Sequence, residues 1–311
     1  MSARWEAQRE RSNPLMLRIM LWVALHLGRC AARLLLYPIS LYFLVTAGAV
    51  RSASRSYLAR VLGHQPGWRD LFRHIFSFSA VSLDRLFLLS GHAGEFQVLV
   101  HDPEALLQNA AGGKGSIVLV SHFGSFDVMR VPGAEWKKLR VRVVMDGRQA
   151  RMAMAMLRAL NPGFAADVID AAQPGPQLAL SLKNALDAGD VVGLMADRAR
   201  AGEPTVAVSF LGGAAQLPLY PWQLASVLKA PVFLGFGVYR GGRRYDLHFE
   251  KFSDGLSAPR GRRQAAAQGW AQQYAGRLEH YVRMAPDNWF NFYDFWADVE
   301  PEGNPADPHA G

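Results

Sequence analysis

The chain has 311 residues, half of them apolar and 19% charged, with a formal net charge of +8 and a single cysteine, Cys30. This composition excludes intrinsic disorder for most of the length, and one cysteine excludes an internal disulfide or a cysteine-rich metal site. Cys30 lies in an apolar stretch, where a thiol ordinarily packs as a small hydrophobe.

The charge excess sits at one end. Residues 1–75 hold eleven arginines and no lysine against Glu6, Glu10 and Asp70, and the remaining residues sum to zero. A basic terminus on a neutral body points to a polyanionic surface, nucleic acid or anionic lipid. The apolar stretches between the arginines favour lipid. Leu15–Leu27 carries only Arg18, and Leu34–Val50 runs 17 residues without a charge, at the short limit for a spanning helix of ~20 residues. A signal peptide fits poorly, because the run comes late, contains Pro38 and has arginine on both flanks. We read residues 1–60 as a basic, hydrophobic membrane-anchoring segment, either one short spanning helix or a shallow embedded hairpin. Flanking arginines favour a cytoplasmic face for the body. The competing reading, helices buried in a large soluble core, requires buried partners for the arginines, and the local sequence offers none.

Residues 61–300 read as one α/β domain and 301–311 as a flexible tail. Trp68–Ser90 has the pattern of an amphipathic helix. From residue 116 short β-branched runs alternate with helical patterns, which predicts a mainly parallel central sheet flanked by helices. Strands are predicted at Ser116–Ser121, Val141–Met145, Ala166–Ile169, Val191–Ala196, Val232–Tyr239 and Tyr245–Phe252. Helices are predicted at Phe126–Val131, Ala150–Leu160, Gln177–Ala188, Tyr220–Leu228 and Arg262–Met284.

Several familiar sites fail on inspection. Gly113-Lys114-Gly115-Ser116 resembles a phosphate loop, but position 108, where the first glycine belongs, is Gln. Gly235-Phe236-Gly237 has Arg240 in place of the third glycine of a dinucleotide fingerprint. The chain contains no HExxH, CxxC or GxSxG, so zincin, redox and nucleophile-elbow chemistry lack support. What survives is Ser121-His122-Phe123-Gly124-Ser125-Phe126-Asp127. It follows a buried-type strand and opens a helix, and ligands of open α/β sheets bind beyond the carboxyl ends of strands. His122 then belongs in the turn, with Gly124 permitting the bend, Ser125 capping the helix and Asp127 in its first turn. A carboxylate on one imidazole nitrogen leaves the other free to take a proton from a hydroxyl. The same pair also suits a purely structural contact.

A second strand ends in Asp197-Arg198 on what should be the same sheet edge, where an arginine binds phosphate or carboxylate bidentately. A local ion pair is the plainer alternative. Pro286–Trp296 is dense in aromatics, which reads first as core packing and second as an acyl-chain wall or interfacial belt. Basic clusters at Arg240, Arg243, Arg244 and at Arg260, Arg262, Arg263 read as a solvated face, or as a dock for an acidic carrier.

Together these segments resemble the lysophospholipid acyltransferase superfamily, and within it the bacterial lipid A secondary (late) acyltransferases. The resemblance rests on the hydrophobic N-terminus, SHFGSFD, GLMADR followed by VSFLGGAAQLP, APVFLGFGVYRGGRRYDLHFE, and PDNWFNFYDFW, in that order. It implies an O-acyltransferase at the cytoplasmic face of a bacterial inner membrane, using an acyl carrier protein or coenzyme A thioester and a lipid acceptor, with no cofactor or metal. It assigns the base to His122, its orienting acid to Asp127 and substrate positioning to Asp197 and Arg198. Oxyanion stabilisation falls either to backbone N–H groups around Gly124, Ser125 and Phe126 or to an arginine, Arg148 or Arg198. Members of the lipid A branch generally carry Glu as the acid and Asp-Gln in place of Asp197-Arg198; Asp-Arg is similar to the glycerophospholipid branch. These departures bear on the acceptor, not on the reaction class.

Overall fold

The computed structural model describes residues 22–24, 26–130, 139–145, 163, 166–200 and 202–296. The helix expected at Ala150–Leu160, the tail at 301–311 and Arg148 lie outside them.

The N-terminal apolar run folds as two helices, α1 (Gly28–Thr46) and α2 (Gly48–Leu62), broken at Ala47. Alternate faces of α1 have opposite fates. Ala32, Leu36, Ser40 and Leu44, spaced by four, are buried, whereas Leu34, Tyr37, Leu41, Tyr42 and Val45 are exposed. The buried stripe lies against α3 (Trp68–Leu89), which begins with Asp70 accepting from the Gly67 backbone N–H at 2.8 Å. Pro38, which cannot donate to a helical ladder, is on the exposed side. α1 is the one described helix long and apolar enough to cross a membrane.

The central sheet forms from β1 (Gln97–His101), β2 (Ser116–Val120), β3 (Val141–Met145), β4 (Val168–Asp170), β5 (Val191–Met195), β8 (Val232–Tyr239) and β9 (Arg244–Ser253). Among the described residues its order is β1-β9-β8-β2-β5-β3-β4, parallel throughout except for the β8–β9 hairpin. The mainly parallel α/β sheet flanked by helices is therefore present. β2 and β8 are buried at every position, as parallel strands covered on both faces require. Ile117 and Leu119 enter a core with α5 (Gly175–Asp187), α6 (Tyr220–Leu228) and α7 (Arg263–Met284). Val118 and Val120 face the other core, built with α1, α3 and α4 (Glu104–Ala111).

Four elements lie outside the strands and helices expected from the sequence: the edge strand β1, helix α4, and the two strands of a separate hairpin, β6 (Thr205–Phe210) and β7 (Gly213–Pro218). The segment expected as a helix from Phe126 is a 3₁₀ turn, Phe126–Arg130.

The arginines of α1 do find partners, but far along the chain. Arg29, buried, donates through Nε to Asp84 Oδ1 at 2.6 Å and also to the Gly242 carbonyl. Tyr245 donates to the other Asp84 oxygen at 2.8 Å, and Arg33 donates to the Tyr239 hydroxyl at 2.7 Å. The objection that buried arginines would lack partners held only for neighbours in sequence. Removing one member of a buried ion pair strands the other charge, at a cost of ~3–5 kcal/mol. Arg29→Ala should lower stability to chemical denaturation by about that much, and Asp84→Ala added to it should cost less than the two single losses combined. Additive losses would mean that the two side chains act independently.

Candidate active site

Strands β8, β2 and β5 are neighbours, and β2 and β5 run parallel with Val120 opposite Met195. The residues just beyond them, His122 and Asp197, are therefore brought together although 75 positions apart. The Asp197 carboxylate is fully buried. One oxygen lies 2.9 Å from His122 Nδ1; the other accepts the His122 backbone N–H at 2.9 Å and the Trp289 indole N–H at 3.2 Å. Such a carboxylate selects the tautomer with the proton on Nδ1, leaving Nε2 as the acceptor.

Asp127 is elsewhere. It is buried, but its Oδ2 pairs with Arg85 Nε at 3.1 Å. The expected His122–Asp127 contact is thus replaced by His122–Asp197, because the chain leaves β2 in a tight loop that places the Asp127 carboxylate against α3. Ser125 does not cap the turn, since its hydroxyl has no hydrogen-bond partner among the described residues.

The loop is fixed by backbone contact. Gly124 has φ +55°, and a Cβ there would lie 1.8 Å from the Gly237 carbonyl oxygen. A Cβ on Gly237 would in turn lie 1.9 Å from the Ser125 carbonyl oxygen. Only glycine fits either place. The approach lets the Ser125 N–H donate to Gly237 and the Gly124 N–H donate to Asn288, at 2.8 and 2.7 Å. Gly237 therefore serves this loop, not a nucleotide.

Beside His122 opens a cleft of about 130 Å³, walled by Phe78, Val81, Phe126, Met195 and Phe290, with His122, Gly124, Ser125, Arg85, Asp127 and Arg198 also lining it. α3 contributes Phe78, Val81, Ser82 and Arg85, one helical face at i, i+3, i+4 and i+7. Arg198 donates to the Phe290 carbonyl and lies over the Tyr293 ring. Five polar atoms of the lining, Ser121 Oγ, Ser125 Oγ, Asp127 Oδ1, Arg85 Nη2 and Arg198 Nε, are buried without a hydrogen-bond partner among the described residues. Buried polar atoms are normally satisfied, so this concentration sets the cleft apart among the described residues and makes it the candidate site. Arg85 and Trp289 were not singled out as site residues in the sequence. The spacing Phe78-Val81-Ser82-Arg85 was the signal available for Arg85; for Trp289 there was none beyond the aromatic cluster.

That cluster mostly packs. Trp289, Phe295 and Trp296 are buried, and Phe290 alone of them reaches the cleft. The basic clusters include a surface pair from Arg240 to Asp246 and another from Arg243 to Glu95.

Electrostatics favour a neutral imidazole. Burial lowers the His122 pKa from its usual value, the Arg198 charge adds to this, and Asp197 opposes it. Burial alone would raise Asp197, but the imidazole and Arg198 hold it below the usual carboxylate range. No protein-family model and no curated protein matches this chain.

The sign of each effect can be checked by NMR titration of the His122 imidazole. Its pKa should lie below ~6.5, fall further in Asp197→Asn, which removes the charge favouring imidazolium, and rise in Arg198→Met, which removes a repelling one. A wild-type value at or above the ordinary one would contradict this electrostatic picture.

Proposed function

We propose that the chain is an O-acyltransferase, moving a fatty acyl group from an acyl carrier protein or coenzyme A thioester to a hydroxyl of a lipid acceptor. The observation that carries the reading is the His122–Asp197 pair at the carboxyl edge of the sheet, on a cleft with an apolar wall and unpartnered polar atoms. The segments that resemble lipid A secondary acyltransferases add to it, and they make the acceptor a lipid A-precursor-like or other cell-envelope lipid.

In this mechanism the acceptor hydroxyl gives its proton to His122 Nε2 as its oxygen attacks the thioester carbonyl. Asp197 stabilises the imidazolium that forms. The tetrahedral intermediate then collapses, the carbon–sulfur bond breaks, and the proton held by His122 goes to the departing thiolate. Arg85 and Arg198 supply N–H donors for a phosphate or for the developing oxyanion. Phe78, Val81, Phe126 and Phe290 accommodate the start of an acyl chain. Asp127, paired to Arg85, acts in this scheme by placing that guanidinium.

His122→Ala should lower turnover by ~10²–10⁴-fold, the range for a lost general base. Asp197→Asn should also be impaired, and the double variant should be little worse than the poorer single one, because the two act as a unit. Asp127→Asn and Arg85→Ala should be similarly non-additive with each other. The assay is thioester consumption with and without lipid acceptor. Turnover without acceptor would indicate a hydrolase, and no turnover with any thioester would indicate a lipid-binding protein of the same fold. A folded His122→Ala variant working at the parental rate would end the proposal.

We place the protein at the cytoplasmic face of a bacterial inner membrane, with the exposed Leu34, Tyr37, Leu41 and Val45 face of α1 in the lipid and the exposed Arg55 and Arg69 near anionic headgroups. Leu34→Glu with Leu41→Glu should reduce co-sedimentation with anionic vesicles without altering the circular dichroism. High salt should not abolish parental binding, because apolar burial is insensitive to screening. Release of the parent at moderate salt would limit the contact to electrostatics.

A further inference from the structure

β1 and β9 pair in parallel with His101 directly opposite His248, and Asp246 lies two residues earlier on β9, hence on the same face. The two imidazoles stack with centroids 4.2 Å apart and planes 6° apart. The Nε2 atoms of both rings are shielded from solvent and have no hydrogen-bond partner among the described residues. One ligating atom from each of His101, Asp246 and His248 lies within 4.8 Å of the others. Two imidazoles held face to face beside a carboxylate, each with an Nε2 that no hydrogen bond from the described residues occupies, present nitrogen and oxygen donors close together.

We propose that His101, His248 and Asp246 bind one divalent transition-metal cation of the zinc class. Two nitrogens and one oxygen are the donors such an ion prefers, and three protein ligands leave a fourth position for water. Metal–ligand bonds of ~2.0–2.1 Å place tetrahedral donors about 3.3 Å apart, so binding requires the donors to close by at most about 1.5 Å and the two rings to turn out of their parallel stack until their in-plane lone pairs converge on the ion. Asp246 already accepts from Arg240 Nε at 2.7 Å through Oδ2. Outer-shell hydrogen bonds of this kind orient ligating carboxylates. None of the three residues lines the cleft beside His122. The ion's place is instead on the edge strand, where it ties β1 to β9 and protects an edge otherwise held by one neighbour.

The test uses the full chain, purified and stripped with a chelator, titrated calorimetrically with Zn²⁺ alone. One equivalent should bind, with a rise in the thermal unfolding midpoint, and Co²⁺ in its place should give the visible absorption of a four-coordinate ion. His248→Gln, His101→Gln and Asp246→Asn should each weaken binding by at least ~10-fold, and Arg240→Ala by a similar factor. His92→Gln, at an exposed histidine outside the cluster, should bind as the parent does. Absence of stoichiometric binding by the parent overturns the proposal whatever the variants do. So does undiminished binding by the folded His101→Gln and His248→Gln variants, which would place the ion elsewhere.

Discussion

A single buried negative charge organises the centre of this molecule. Asp197 has no access to water, and an ionised carboxylate in that position must be compensated by donors and opposite charge. Its partners come from separate parts of the chain. They are the backbone and imidazole of His122 beyond β2, the indole of Trp289, and the charge of Arg198 beside it. Satisfying one carboxylate thus fixes the ends of two strands and the C-terminal aromatic segment against one another.

That segment is held from behind as well. His74 on α3 contacts the Trp289 carbonyl through Nε2 at 2.8 Å and Ser54 through Nδ1 at 2.7 Å, and burial pushes its pKa down to about 4. A neutral ring there donates to the carbonyl and accepts from the hydroxyl. Tyr57 donates to the Pro286 carbonyl at 2.6 Å. Helices α2 and α3 therefore position the indole that in turn positions Asp197, so residues far from the cleft act on its geometry through a short chain of hydrogen bonds.

α3 links the N-terminal helices to the site. One of its faces presents Phe78, Val81, Ser82 and Arg85 to the cleft, while Asp84, one residue away, holds Arg29 of α1. In the proposed function this joins the apolar outer face of α1 to the cleft through α3, so that a protein resting on lipid would hold His122 beside the same packed helices that contact the bilayer.

The sequence by itself determined the strands and helices with the strongest periodicity. β5 and β8 are runs without a charged side chain, β2 departs from an apolar run only at Ser116, and the helix ending near Leu89 has a clear apolar stripe. It also marked His122 and Asp197 as polar residues at strand ends, since polar groups after buried strands stand out from local composition. It could not tell which acid meets the imidazole. Asp127 is near in sequence, but only the order of β2 beside β5, and their parallel register, brings Asp197 within 2.9 Å. The same limit applied to Arg29, whose partner lies 55 residues on, and to His101 and His248, which only strand pairing makes neighbours. Edge strand β1 was missed because half-exposed strands lack the apolar run that reveals buried ones. Hydrophobic pattern is local and records which way a residue faces; the pairing of charges and ligands is long-range, and only the packed sheet decided it.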